Sequence, residues 1–154
     1  RKGKAVKPTE FGKLVKIQEG EAQFITDYGV CETRVSDHAL WVPSLVRHEE
    51  LFGRAPRLAV ADAGFASGAN ERAADARGVR TVVLPRRRRR GCSRAVRAAL
   101  KWRTGCEGRI RARKRRHGLR RCRYRGLAGM ERWVGLGVIA NDLLVLGRAG
   151  ARTG

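Results

Sequence analysis

The order of the predicted elements indicates an α/β fold with a parallel portion in its sheet. Two short apolar segments, RLAVA at 57–61 and VRTVVL at 79–84, are typical of strands buried on both faces. An alanine-rich helix over 68–77 separates them and ends at Gly78. A strand, a helix and a second strand in this order predict two parallel neighbours.

A hairpin and a helix precede these strands. Residues 11–19 and 22–32 are rich in β-formers around an EGE turn, which predicts two antiparallel strands. Ser36 suits the N-cap of a helix that continues through Phe52, with Pro43 in its first turn or two.

The second half of the chain is predicted to be helical. The pattern indicates one helix in two parts, over about 93–100 and 104–117, and a last amphipathic helix over about 127–146. Residues 1–147 would then form one domain, and residues 148–154 a disordered tail.

The charge of the chain points to a polyanionic partner. The 154 residues include 35 lysines and arginines against 14 acids, a formal charge of +21. Nucleic acid is the natural partner, because each neutralised phosphate releases a condensed counterion. The hydrophobic content of 42% excludes a disordered polybasic tail, and four cysteines without a CxxC pair argue against a zinc ribbon. Five consecutive arginines at 86–90 predict a basic loop.

A membrane span is not predicted. The most apolar segment, 133–146, is interrupted by Asn141 and Asp142 and is shorter than the roughly 20 residues that a span needs. We therefore expect no membrane partner and a cytoplasmic protein.

Two acidic residues lie where catalysis would use them. Asp62 directly follows the strand at 57–61, at the edge of an α/β sheet where ligands bind. Glu107 is the only acid in residues 86–125, among nineteen lysines and arginines. A carboxylate among cations suits a divalent metal bound beside a phosphodiester, because Mg²⁺ prefers one or two carboxylates plus phosphate oxygens.

Helical spacing adds to the argument for Glu107. Arg103, Glu107, Arg111 and Lys114 fall at i, i+4, i+8 and i+11, so they share one helical stripe. Judged by position and spacing alone, Asp62 and Glu107 are each more often structural than catalytic. Asp62 would then cap a turn or helix, and Glu107 would pair with Arg103 or Arg111.

The segment from Arg103 to Lys114 matches the R-x3-E-x6-K core of the signature of insertion-sequence transposases, with Leu100 in place of the usual tyrosine. KPTEFGK, LAVADAGFAS, KRRHGLRRCRYRG and GMERWVGLGVIANDL extend the match in the same order. Over nearly its whole length the chain resembles the C-terminal part of the catalytic domain of DDE-type transposases of bacterial insertion sequences.

The resemblance implies a ribonuclease-H-like mixed sheet with flanking helices and an Asp–Asp–Glu triad holding two Mg²⁺ or Mn²⁺ ions. Asp62 would be the second aspartate and Glu107 the glutamate. The implied reaction is metal-dependent DNA strand cleavage and strand transfer, and the implied partners are terminal inverted repeats and target DNA. It also allows for a homodimer on the DNA and a nucleoid-associated location in bacteria. The resemblance implies that Lys114 contacts DNA and that Arg103 lies on the same helical face. Charge adds Arg111, Arg115 and Arg116 as expected phosphate contacts.

One departure from the family affects the active site. The family's first aspartate lies on a central strand before the hairpin, and nothing before Phe11 resembles that strand. Asp27 is the only nearby substitute, and an aspartate at such a strand position is usually solvated. We therefore expect this chain alone to be inactive. The alternatives are a non-catalytic basic nucleic-acid-binding protein and an inactive transposase remnant.

Overall fold

The structure, a computed structural model, describes residues 13–85, 93–116 and 121–151, without the side chains of Glu107 and of residues 112–114. Within these ranges the chain forms two sheets of two strands each and four α-helices, in the order ββαβαβαα. The predicted α/β class is confirmed. The described strands form two separate sheets, however, where one mixed sheet was predicted. The predicted basic loop at 86–90 lies outside the described residues.

The first sheet is the predicted hairpin. Strands β1 (Leu14–Glu19) and β2 (Ile25–Cys31) pair antiparallel, with Leu14 opposite Cys31, and the register shifts between Gln18 and Glu19. Such a shift increases the local twist of the strand.

The second sheet is built around helices α1 (Asp37–Phe52) and α2 (Gly68–Ala76). Strands β3 (Leu58–Val60) and β4 (Thr81–Val83) are parallel, as predicted. Gly53 ends α1 with a φ of +66°, a left-handed conformation that glycine adopts without a Cβ penalty.

The larger hydrophobic cluster lies between these elements and fixes the position of β3. Ala59 of β3 is buried in this cluster, whereas Leu58 on the opposite face is 44% exposed. The prediction of a strand buried on both faces was therefore wrong for β3. The buried members of the cluster are Trp41, Leu45, Ala59, Ala74, Val79 and Leu84.

Helix α3 (Arg94–Arg116) is continuous, whereas the sequence predicted a helix in two parts. It contacts both strands of the second sheet. Gly105 and Gly108 lie inside it, and each costs the helix about 1 kcal/mol relative to alanine. Contacts with the two sheets, described below, offset this cost.

Helix α4 (Gly126–Gly150) packs on the hairpin. Val134 and Val138 are buried against Ile25 of β2, and Asp142 Oδ1 accepts a hydrogen bond from the Ile25 backbone N at 3.0 Å. The helix continues four residues beyond its predicted end at 146, so residues 148–150, predicted as tail, are helical.

The opposite face of α4 is apolar and exposed. Leu136, Ile139, Leu143 and Leu146 follow one another at spacings of three and four residues. With its 25 residues, α4 is the one helix in the described ranges that is long and apolar enough to cross a membrane, judged by length and composition alone. Helix α4 is thus longer than the apolar segment 133–146, which was predicted to be too short for a span, and Asn141 and Asp142 interrupt it.

Candidate active site at the end of β3

Asp62 lies at the carboxyl end of β3, as predicted. The Ala61 backbone N donates to Val83 O at 3.2 Å and so extends the parallel pairing one residue past the strand. The Phe65 backbone N then donates to Asp62 O at 3.0 Å and closes a 3-10 turn over Ala63–Phe65. The side chain of Asp62 makes no capping hydrogen bond to this turn and is 61% exposed, so its carboxylate faces solvent.

The turn after Asp62 is held by a buried asparagine that the sequence analysis did not identify. Asn70 Nδ2 donates to Phe65 O at 2.9 Å and to His38 O at 3.1 Å, with only 7% of the residue exposed. Trp41 Nε1 donates to Asn70 O at 3.0 Å, and the Phe65 ring meets the Trp41 ring edge-on. The sequence contains one indication that Asn70 is buried: its helical position, on the same face of α2 as the buried Ala74.

A second carboxylate lies close to the same turn. A Cβ added at Gly64 would overlap the carboxylate of Asp37, the first residue of α1. Position 64 therefore accepts only glycine while Asp37 keeps this orientation. The turn after Asp62 contacts α1 and accepts a hydrogen bond from Asn70 of α2, while residues 62–64 are exposed.

Helix α3 reaches the site through Arg103. Arg103 Nη1 pairs with Asp62 Oδ1, although the two residues are 41 positions apart in the sequence. The arginine side chain is 25% exposed, less than half the exposed fraction of its partner. Sequence reasoning gave these residues separate roles, in DNA contact and in metal binding, and did not predict their contact.

A second arginine ties α3 to the hairpin. Arg109 Nε lies 2.8 Å from Glu19 Oε1 at the end of β1, where the glutamate side chain is only 6% exposed. Arg109 Nη2 also donates to Trp102 O at 3.1 Å, and its guanidinium lies 5.0 Å from the centre of the Trp102 ring. Helix α3 is therefore joined to one sheet through Arg103 and to the other through Arg109.

The backbone of Glu107 lies between these two attachments. Four residues separate it from Arg103, which is about 6 Å along a helix axis. Its side chain is outside the described set, as is that of Lys114. Arg111, Arg115 and Arg116 are exposed on the C-terminal half of α3, where cations also interact favourably with the helix dipole.

The donor chemistry of Asp62 suits Mg²⁺ or Mn²⁺. An exposed carboxylate at the end of a buried strand offers oxygen ligands with room for water and phosphate oxygens. Among the side chains that the structure describes, no group of three or more His, Cys, Asp or Glu could hold a metal ion. Glu107 is outside that set, so Asp62 is the one predicted metal ligand whose surroundings can be assessed.

Asp27 does not have the environment of a solvated strand residue. It lies 2.6 Å from Lys16 Nζ and 3.4 Å from Arg47 Nε, and its side chain is half-buried between them. The prediction of a solvated carboxylate at this position was wrong. Asp27 instead joins the hairpin to α1.

The Arg103–Asp62 contact thus brings two of the predicted site residues together, and α3 carries the backbone of a third beside them. No protein-family model, no curated protein and no solved structure matches this chain.

Proposed function

We propose that the chain is the C-terminal part of the catalytic domain of a DDE-type DNA transposase, with Asp62 and Glu107 as two of its metal-binding carboxylates. The Arg103–Asp62 ion pair carries the proposal. It places the R-x3-E segment of α3 against the carboxyl end of β3, so residues 41 positions apart become neighbours. The resemblance described above implies that Glu107 and Asp62 lie close together, and this position of α3 agrees with it.

The proposal implies a ribonuclease-H-like sheet with a central strand that carries the first aspartate. A strand placed between β1 and β3 would join the two described sheets into one. Within the described residues, β1 pairs with β2 alone and β3 with β4 alone, which leaves an edge of each sheet for such a strand. A complete triad requires that strand, so we expect the described residues alone to lack strand-cleaving activity.

In the proposed reaction the protein would position the metal ions and neutralise part of the phosphate charge. Two divalent ions, when bound, activate the attacking oxygen and stabilise the leaving oxygen of an in-line displacement at phosphorus. Asp62 would hold its ion at the fixed end of β3, because Asn70 and Phe65 keep the following turn in place. Glu107 would approach from α3. The exposed Arg111, Arg115 and Arg116 would bind phosphates without regard to sequence.

The test is Mn²⁺-dependent nicking of duplex DNA that carries the terminal inverted repeats flanking the coding sequence, using the full-length protein. Asp62→Asn and Glu107→Gln should each abolish nicking, because each removes an anionic metal ligand at nearly constant shape. Asp75→Asn, a matched change of an exposed carboxylate on α2, should nick at the wild-type rate.

DNA binding by the same variants separates loss of chemistry from loss of the substrate complex. Fluorescence anisotropy should show Asp62→Asn and Glu107→Gln binding the duplex at least as tightly as the wild type, because each change removes a negative charge near the phosphates. Nicking that survives Glu107→Gln would contradict the assignment. Nicking equally impaired by Asp75→Asn would show that the loss is not specific to the site.

A second candidate is a non-catalytic basic nucleic-acid-binding protein, such as an inactive transposase remnant. The same ion pair gives it some support, since Asp62 could serve only to hold α3 against β3. On this hypothesis the full-length protein binds DNA and no Mn²⁺-dependent nicking is found. Asp62→Asn would then change stability and DNA affinity alone.

A further inference from the structure

Arg103 has two candidate partners, and a divalent cation at Asp62 would set them in competition. Its place on the stripe shared with Arg111 suits a DNA phosphate, whereas the structure has it paired with Asp62 Oδ1. The proposed function also requires Asp62 to hold a divalent cation. Asp62 can therefore bind either Arg103 or the cation, and Arg103 can bind either Asp62 or a DNA phosphate.

The contact can be exchanged because it is exposed on the carboxylate side. With Asp62 61% exposed, water screens the pair, and such ion pairs contribute little to stability. A divalent cation at Asp62 carries twice the charge of the guanidinium and repels it. Arginine matches the fork geometry of phosphate as well as that of carboxylate, so a released guanidinium has a good alternative partner.

We propose that Arg103 is exchanged between Asp62 and a DNA phosphate, and that cation binding at Asp62 drives the exchange towards DNA. The inference rests on the proposed function, since it takes the cation and the phosphate from it. In the protein without metal or DNA, Arg103 neutralises Asp62 and holds α3 against β3. In the complex, the cation neutralises Asp62 and Arg103 contacts the backbone.

The exchange makes the binding of cation and DNA mutually dependent. If cation binding raises the DNA affinity by a certain factor through the release of Arg103, then DNA binding must raise the cation affinity by the same factor. The size of the factor is set by the ion pair that is given up. For an exposed pair this lies between about 1.4-fold and about fivefold in affinity.

A double-mutant cycle measured on DNA affinity isolates the exchange. The full-length wild type, Asp62→Asn, Arg103→Gln and the double variant are titrated with a labelled duplex in EDTA. Asp62→Asn should tighten DNA binding in the wild-type background by up to about fivefold, because it frees Arg103. In the Arg103→Gln background the same change should have a clearly smaller effect, limited to the loss of one negative charge.

Arg111→Gln provides the matched control. It removes a cation from the same stripe of α3, two turns further along, and should weaken DNA binding as Arg103→Gln does. The effect of Asp62→Asn must remain at full size in that background. Thermal melting of each variant checks folding, and Arg103→Lys, which keeps the charge without the planar fork, is a second variant for the cycle.

A second set of titrations replaces EDTA with Mg²⁺ at matched ionic strength. Addition of Mg²⁺ should raise the DNA affinity of the wild type more than that of Arg103→Gln. The ratio of the two increases should be about the factor found in the cycle. Equal effects of Asp62→Asn in the two arginine backgrounds, or equal effects of Mg²⁺, would overturn the exchange. That result would leave the proposed function in place if nicking still depends on Asp62 and Glu107, so the two failures are distinguishable.

Discussion

Asn70 offers the sharpest test of how the turn after Asp62 is held. Its side-chain amide donates to two carbonyl oxygens, Phe65 O and His38 O, in a position only 7% exposed. Asn70→Asp keeps the shape and removes both donors at neutral pH. Two lost hydrogen bonds cost about 1 kcal/mol each, and two acceptors left facing a buried carboxylate add further cost. We expect the free energy of unfolding to fall by roughly 3 to 5 kcal/mol at pH 7.

The loss should shrink on acidification. Burial without a donor raises the pKa of the introduced carboxyl above its unfolded value of about 3.9. The folded variant therefore binds a proton more readily than the unfolded chain, and its stability rises as the pH falls through the raised pKa. Protonation also restores one donor. The quantity to follow is the difference in the free energy of unfolding between wild type and variant at each pH. The contributions of the titratable groups that both proteins share cancel in this difference.

Urea unfolding at several pH values supplies the measurement. Tryptophan fluorescence follows the transition, and Trp41, one of three tryptophans, lies beside the substituted residue, since its indole N–H donates to Asn70 O. Asn70→Ala, which removes the donors without adding charge, is the matched control and should show a smaller loss that does not depend on pH. An Asn70→Asp variant within about 0.5 kcal/mol of wild type at pH 7 would refute the role given to this residue.

Two further changes test how the helices are attached. Gly135→Ala places a methyl group against a tyrosine of β2 and should cost about 1 to 3 kcal/mol, whereas Gly147→Ala meets no atom within 4 Å and should stabilise the helix by about 0.5 to 1 kcal/mol. If Gly135→Ala and Gly147→Ala changed the free energy of unfolding in urea in the same direction, this would contradict the packing of α4 on the hairpin. Glu19→Ala should destabilise the chain by about 3 kcal/mol by leaving Arg109 without its ion pair, and adding Arg109→Leu should recover much of the loss. A double variant no more stable than Glu19→Ala would show that the pair does not hold α3.

Local patterns predicted the elements well because their causes are local. The glycine at 53 ends α1 with a left-handed backbone, and the alternating β-formers produced the hairpin. The apolar segments around residues 59 and 82 became parallel strands, since their apolar side chains pack into the larger hydrophobic cluster. Tertiary contacts decided the rest. Helix α3 is continuous through residues 101–103, where the sequence predicted a break, and the Arg109–Glu19 pair holds it against the hairpin.

The candidate site could be predicted only in part for the same reason. Asp62 lies where its position after a strand predicted it, because strand ends are a local feature. Its pairing with Arg103 depends on how α3 crosses the second sheet, and helical spacing carries no information about that crossing. Asn70 was missed because an asparagine in an alanine-rich helix is usually exposed, and only the fold places two carbonyl groups within its reach.

The two attachments of α3 respond differently to salt, which has a practical consequence for purification. On the proposed function, this protein of formal charge +21 would be released from cellular nucleic acid at high ionic strength, because counterion release then drives binding only weakly. At roughly 1 M salt the Debye length is about 3 Å, so the exposed Arg103–Asp62 pair is screened, while the enclosed Arg109–Glu19 pair is largely protected. In such a buffer the Arg103–Asp62 pair contributes less to the contact between α3 and the second sheet, while the packing of α3 on β3 and β4 remains. Binding constants measured before dialysis to lower salt therefore describe a carboxylate whose attraction to its arginine is largely screened.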